Sequence, residues 1–448
     1  MGTPEPNAGL ERLYRETGWT LRQFAQETNR IGTERRTPTK YREPSVHQWL
    51  KGHMPKEATR SLILEALARK LARPVSHREA GFPPPSDHSN ARPSTVEGLT
   101  DLGREDMDPS RRSVIGAGLF SVALAVPNWR DVVGRMEAIQ TGVTQRIGMA
   151  EVNTVIAMTD RLSDLDDEFG GRYARPMAAA FLVNIVAPYL KSDAPSEVRR
   201  EMVSAASFLC YLTGWMAVDE GLHGNAQRYY VKGLELAGAS NDYLTYCHIL
   251  RGMSVQSVDL GHGSTAVQWA NAASESSPTA GPRMTAFMQG QQAHSYAVAG
   301  ERSNALQSLK KAERALSKAE SSHQTFGGYS PATLAYHTAQ VRYALGDVTG
   351  SVDSLHSHFH LRVPENESHR SKMRFASMLA ERQLAIGHLD AACATWSKVI
   401  DDYPAIQSGA VDNHVSDMFR LIRPYLKNSA ARDLYERARL VAPKSVPA

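Results

Sequence analysis

The sequence predicts an all-α protein, with a small helical domain of helix-turn-helix type at the N-terminus and a solenoid of degenerate helix pairs behind it. Three observations predict this. Apolar residues recur at helical spacing up to the breaker Gly81-Phe82-Pro83-Pro84-Pro85. A small–bulky–small signature returns five times between Ala226 and Val399. Charge is also divided unevenly: residues 1–85 carry 15 Lys+Arg against 9 Asp+Glu, a net +6, whereas the remainder carries 36 against 38, a net −2. A basic module on a nearly neutral body points to a phosphate-binding head and a body with another task.

The head, residues 1–82, divides into four helices. The first spans 8–17, with Leu10, Leu13 and Tyr14 on one face; Thr20 then caps a second over 21–28 that aligns Leu21, Phe24 and Ala25. A polar, basic insertion over 33–41 precedes a third helix near 43–51, where Val46, Trp49 and Leu50 share a face and Gly52 stops the helix. The last helix, near 56–72, puts Leu62, Ile63, Ala66, Leu67 and Leu71 on one side. Short, polar on one side and anchored on the other, the third helix suits the major groove of DNA. Residues 83–109, rich in Pro, Ser, Asp, Asn and Gly, read as a flexible linker; 110–205 read as a helical connector, and 206–448 as the repeat domain with C-terminal capping helices.

Each repeat is marked by a Gly followed five residues later by a small residue, a bulky one at +4 and a small one at +7. The sets are Gly221, Ala226, Tyr230, Gly233; Gly261, Ala266, Ala270, Ala273; Gly300, Ala305, Leu309, Ala312; Gly346, Ser351, Leu355, His358; and Gly387, Ala392, Trp396, Val399. The first small residues are 40, 39, 46 and 41 residues apart. Tetratricopeptide repeats use the same code at about 34 residues, so this is a degenerate tetratricopeptide-like α-solenoid with longer helices or loops.

Several chemistries find no support. Cys210, Cys247 and Cys393 lie far apart in apolar helical contexts, which reads as burial in a reducing compartment, the cytoplasm. No apolar run is long enough to span a bilayer. Arg111-Arg112 and the apolar stretch 114–126 imitate a twin-arginine export signal, but behind a foldable domain they read as an apolar helix packed on the body. Asp164, Asp166, Asp167 and Glu168 spread around a helix without a companion His, as at a solvated helix end. His356, His358 and His360 diverge on a helix, with no Cys or carboxylate to complete a metal set. No enzymatic motif, metal site or cofactor is expected.

Particular stretches resemble actinobacterial cytoplasmic regulators of the NsdA type, which join an Xre-like helix-turn-helix to tetratricopeptide repeats. In the head these are Glu16-Thr17-Gly18-Trp19-Thr20, Ser45-Val46-His47-Gln48-Trp49-Leu50-Lys51-Gly52, and Arg73-Pro74-Val75 with Ala80-Gly81-Phe82. In the body they are Leu165-Asp166-Asp167-Glu168-Phe169-Gly170-Gly171-Arg172-Tyr173-Ala174-Arg175, Gly214-Trp215-Met216-Ala217-Val218-Asp219-Glu220-Gly221 and Ala226-Gln227-Arg228-Tyr229-Tyr230. The architecture is also similar to peptide-sensing regulators of Gram-positive bacteria. The resemblance implies that Arg42, Glu43, Ser45, His47 and Gln48 face base edges: Gln48 suits adenine, Arg42 guanine, and Glu43 a cytosine amino group. Arg35, Arg36, Lys40 and Lys51 are placed for phosphates, and Pro44 replaces a residue that is commonly polar. A single head binds weakly, so a homodimer on two half-sites of double-stranded DNA is expected.

A solenoid binds along its concave surface, lined by the first helix of each pair. Counting back from each repeat Gly selects Tyr211, Trp215, Asp219, Arg251, Asp259, His294, Tyr336, Gln340 and Glu381 as a groove for a peptide, protein or small-molecule effector. The expected function is a cytoplasmic, dimeric DNA-binding transcriptional regulator, not an enzyme and with no membrane partner. The alternative is a protein-interaction scaffold with an accessory helix-turn-helix.

Overall fold

A computed structural model describes residues 6–34, 38–71, 75, 77, 79–83, 94–107, 146–275, 281–319, 329–362 and 368–442. They form two compact units. One holds the described residues up to Ser94, and the other holds Thr95–Met107 together with 146–442. The fold among these residues is all-α.

The first unit contains α1 (Ala8–Thr17), α2 (Leu21–Glu34), α3 (Glu43–Leu50) and α4 (Glu57–Leu71). Asn7 begins α1: its Oδ1 accepts from Leu10 N at 3.0 Å, while its Nδ2 donates to Ala80 O at 3.0 Å. The Thr20 hydroxyl accepts from Gln23 N at 3.2 Å and Gln23 Oε1 accepts from Thr20 N at 2.8 Å, a reciprocal cap that starts α2. Helix α2 runs to Glu34, past the expected end at 28, because Thr28 and Ile31 are both buried and continue the apolar stripe. Asn29 then fixes the following segment, with Oδ1 accepting from Tyr41 N and Nδ2 donating to Tyr41 O, each at 2.8 Å. The core holds Leu10, Leu13, Phe24, Val46, Trp49, Ile63, Leu67, Val75 and Phe82. Tyr41 and Phe24 meet Trp49 edge-on, with ring centres 4.9 and 6.4 Å away.

The second unit starts with α5 (Thr95–Met107), inside the stretch that sequence composition marks as a linker. The reason is a helical stripe within that polar composition: Val96, Leu99 and Leu102 are buried, and Asp106 is fully enclosed. Asp106 accepts from the guanidinium of Arg175, from Tyr229 Oη at 3.1 Å and from Asn225 Nδ2 at 3.4 Å. The described part of the expected connector forms α6 (Met149–Phe169), α7 (Gly171–Phe181), a π-helical turn (Leu182–Val186), α8 (Ala187–Lys191) and the start of α9 (Ser196–Asp219). The twin-arginine-like stretch lies outside the described residues. Helix α9 is long and apolar enough to cross a membrane, but 67% of its apolar window is buried, against α6, α7 and α10.

Five antiparallel pairs follow: α9 with α10 (His223–Ser240), α11 (Tyr243–Asp259) with α12 (Gly263–Glu275), α13 (Gly281–Val298) with α14 (Arg302–Leu316), α15 (Pro331–Ala344) with α16 (Val348–Leu361), and α17 (His369–Ala385) with α18 (Leu389–Asp402). Every repeat Gly sits between the two helices of its pair: Gly221, Gly261, Gly300, Gly346 and Gly387 have φ of 72°, 76°, 82°, 87° and 86°. At each, the next amide bonds back across the turn, as Leu222 N to Ala217 O at 2.8 Å, which satisfies carbonyls at the helix end. The signature side chains are buried, from Ala226 and Tyr230 to Ala392 and Trp396, with Leu309 half-buried. Helices α19 (Gly409–Ile422) and α20 (Ser429–Val441) close the C-terminal core on Trp396, Phe419 and Leu434.

The fifth pair then docks on the helices that precede the first. Gln407 N donates to Phe169 O at 2.7 Å and Arg172 N to Gln407 O at 3.1 Å. Gly170, at φ 93°, permits this approach: a Cβ there would collide with the Gln407 carbonyl. Arg172 spans the seam to Glu220 at 3.2 Å and Asp412 at 2.9 Å. The acidic cluster of α6 is thus only partly solvated. Asp164 and Glu168 are exposed, but Asp166 is 2% exposed and bonded to Arg370, because this face of α6 is covered by α17.

Candidate functional site

On α3 of the first unit, Val46 and Trp49 point into the core while Arg42, Glu43, His47 and Gln48 are exposed and Ser45 is half-buried. Arg42 is the N-cap, in extended conformation, and Pro44 occupies the first turn, where its missing amide proton costs nothing. The exposed side chains therefore run from the N-cap to the second turn along one side of a short helix whose other face is fixed by aromatic packing. Lys40 and Lys51 are exposed at the two ends of this segment. Arg35 and Arg36 lie outside the described residues.

In the second unit, a cavity of about 320 Å³ opens between the C-terminal ends of α9 and α11 and the faces of α17 and α19. Trp215, Val218, Leu260 and Met378 give it apolar walls; Asp219, Asp259, Arg370, Arg374, Asn413 and His414 give it polar ones. Its electrostatics follow from helix geometry. Asp219 and Asp259 are the last residues of α9 and α11, where the helix dipole already makes the potential negative. Two arginines one turn apart on α17 compensate: Arg370 Nη1 is 3.3 Å from Asp219 Oδ1, and Arg374 Nη2 is 2.9 Å from Asp259 Oδ2. The Asp259 carboxylate raises the Arg374 pKa, against its burial. Burial acts to lower that of Arg370, but Asp166 and Asp219 more than offset it and hold the charge on. Asp219 is fully engaged, accepting also from Ser408 Oγ at 2.8 Å and Gly171 N at 3.2 Å. His414 Nδ1 sits 2.7 Å from Glu381 Oε1. Burial lowers the pKa of His223, whose carbonyl accepts from Gln256 Nε2 at 2.9 Å.

Of the nine residues that sequence spacing assigns to the groove, Trp215, Asp219 and Asp259 line the cavity, and Glu381 holds His414 in its wall. The other five lie elsewhere. Tyr211, Arg251, His294 and Gln340 are buried and Tyr336 is half-buried, among contacting rings along α9, α11, α13 and α15. Tyr211 meets Trp215 at 6.4 Å and His248 at 4.4 Å, and His248 meets Phe287 at 5.3 Å. Sequence reasoning missed Arg370, Arg374, Met378, Asn413 and His414. They come from α17 and α19, and no local pattern says that these helices return to the C-terminal ends of α9 and α11. Cys210, Cys247 and Cys393 are free thiols in the core, and burial pushes the Cys247 pKa up to about 12. His358 Nδ1 is 2.7 Å from Ala332 O inside the core, whereas His356 and His360 are exposed. Among the described residues no three His, Cys, Asp or Glu side chains gather closely enough to hold a metal ion.

No curated protein matches the chain. Residues 10–83, which span α1 to α4 and the turn up to Pro83, match the SP15 N-terminal domain family.

Proposed function

We propose that the chain is a cytoplasmic DNA-binding transcriptional regulator in which α2 and α3 form an Xre-like helix-turn-helix. The observation that carries this reading is the two-sided character of α3: Arg42 and Glu43 are exposed at its start and His47 and Gln48 in its second turn, while Val46 and Trp49 lock its opposite face. Such a helix enters the major groove N-terminus first. Gln48 and Arg42 read bases, and Lys40 and Lys51 contact phosphates. The helix pairs are read as degenerate tetratricopeptide-like repeats that bind a peptide, protein or small-molecule effector in the cavity beside Trp215 and support a homodimer. Effector binding then shifts the population of states that differ in the spacing of two heads.

Genome-wide DNA capture with the purified full-length protein, repeated with Arg42→Ala/Gln48→Ala at physiological salt, tests this. A motif of two half-sites, lost in the variant, is the expected result. Diffuse, salt-sensitive binding shared by both proteins would favour the scaffold reading.

A further inference from the structure

Arg251 of α11 is 9% exposed, and its guanidinium carbon lies 3.6 Å from the centre of the Phe287 ring. Other buried arginines of the unit have acceptors: Arg175 has Asp106, Arg370 has Asp166 and Asp219, and Arg382 has Gln340 and Ser351. Arg251 has no ion pair and no hydrogen bond among the described residues, and its Nε is enclosed without an acceptor. A guanidinium does not shed its proton, so the charge stays, faced by the Phe287 ring but without a counter-charge among the described residues. Burial lowers its pKa, and the groups that work against this are phenols: Tyr211, Tyr336, Tyr329 and Tyr230.

The surroundings are unsatisfied in the same sense. The hydroxyls of Tyr230 and Tyr329 and Nδ1 of His337 are buried without partners. Two of these converge: a Cβ on Gly290 would collide with the Tyr329 hydroxyl and lie 2.8 Å from His337 Nδ1. His248 and His294 stay neutral, burial pulling them down to about 3 and about 4, so neither adds a competing charge. Flat rings complete the layer, and it continues into the cavity wall through the Tyr211–Trp215 stack.

We propose that Arg251 is the recognition group of a second-unit site for a small aromatic acid, whose carboxylate takes the guanidinium and whose ring lies against the Phe287, His248 and Tyr211 side chains. Paired carboxylate oxygens match the guanidinium fork, and phenol hydroxyls donate to the same oxygens. The proposal rests on reading the second unit as effector-binding and is independent of whether the head binds DNA.

The test is thermal denaturation of the full-length protein with millimolar benzoate, benzamide or inorganic phosphate. Benzoate raises the wild-type Tm by roughly 2–4 °C, the shift that a modest affinity produces in a domain of this size. Neutral benzamide does not. Arg251→Met removes the benzoate response and, by deleting a buried charge without a counter-charge, raises the ligand-free Tm. Tyr329→Phe removes only a hydroxyl, leaving the ligand-free Tm in place and weakening the benzoate response. No rise with benzoate, an equal rise with benzamide, a rise with phosphate alone, or a ligand-free Arg251→Met protein less stable than wild type overturns the proposal. DNA capture by Arg251→Met without ligand remains as in wild type, so failure here and failure of the head are told apart.

Discussion

Arg370 donates from Nη2 to Asp166 Oδ2 across 2.8 Å although 204 residues separate the two in the chain. The same guanidinium reaches Asp219 through Nη1, so one cation serves two buried carboxylates on α6 and α9. Arg370→Met would remove the counter-charge of both and is expected to cost about 3–5 kcal/mol. Urea denaturation measures the loss, and hydrogen exchange should show α6 and α17 losing protection together.

The same cluster makes stability depend on pH. Asp166 is raised to about 7, first by burial, with Arg370 opposing and Asp219 adding. Burial raises Glu220 in the same direction. A carboxyl that holds its proton more tightly folded than unfolded gains stability as pH falls from its folded value towards its unfolded value, and loses it as pH rises. Against the opposite slope of His248 and His294, which are buried neutral, Asp166 therefore contributes stability that is greater at about pH 5.5 than at about pH 8, with a slope of at most about 1.4 kcal/mol per pH unit. Asp166→Asn keeps an acceptor for Arg370 and should flatten that slope. A slope unchanged in the variant would refute the assignment.

In the first unit, Trp49→Ala removes the ring that Tyr41 and Phe24 meet edge-on, at an expected cost of about 3–5 kcal/mol. That is a large share of what a domain of this size holds. Hydrogen exchange should collapse across α1 to α4 while the α9–α18 pairs keep their protection.

Surface changes on α3 should behave oppositely. Arg42→Ala/Gln48→Ala truncates exposed side chains, so the Tm should stay within about 1 °C while specific DNA binding is lost. Lys51→Ala should weaken binding uniformly across sequences and reduce the salt slope by about 1. A Lys51→Ala effect confined to one operator would place this lysine on a base and not on a phosphate.

Asp106 joins α5 to the rest of the second unit through Arg175, Tyr229 and Asn225. Asp106→Ala strands a buried arginine and should cost about 3–5 kcal/mol. Circular dichroism and urea titration would register a destabilised unit, and exchange in α5 should rise first.

The legible parts of this molecule were those whose physics is local. The repeat turns are readable because a left-handed residue is needed once per pair and glycine supplies it at Gly221, Gly261, Gly300, Gly346 and Gly387. The two faces of α3 are readable because Val46 and Trp49 are three residues apart. Helix α5 was hidden because proline, serine and asparagine around it outweigh a stripe of three apolar residues. Asp166 passed for a solvated acid because its partner lies on a helix that no nearby pattern announces. Of the groove, Trp215, Asp219 and Asp259 were found by counting from the turn glycines; the arginines opposite them required the closure to be seen.

That closure bears on how the chain can change. An open solenoid can be lengthened or shortened by whole layers, because each layer needs only its neighbours. Here the layer containing Arg370 must arrive where Asp166, Phe169 and Asp219 are waiting, and Gly170 leaves no slack for a displaced Gln407. Adding or deleting one pair would carry α17 past that meeting point. The number of pairs is therefore an all-or-none property, and duplication, the usual route by which repeat proteins diversify, is closed to this one between α9 and α17.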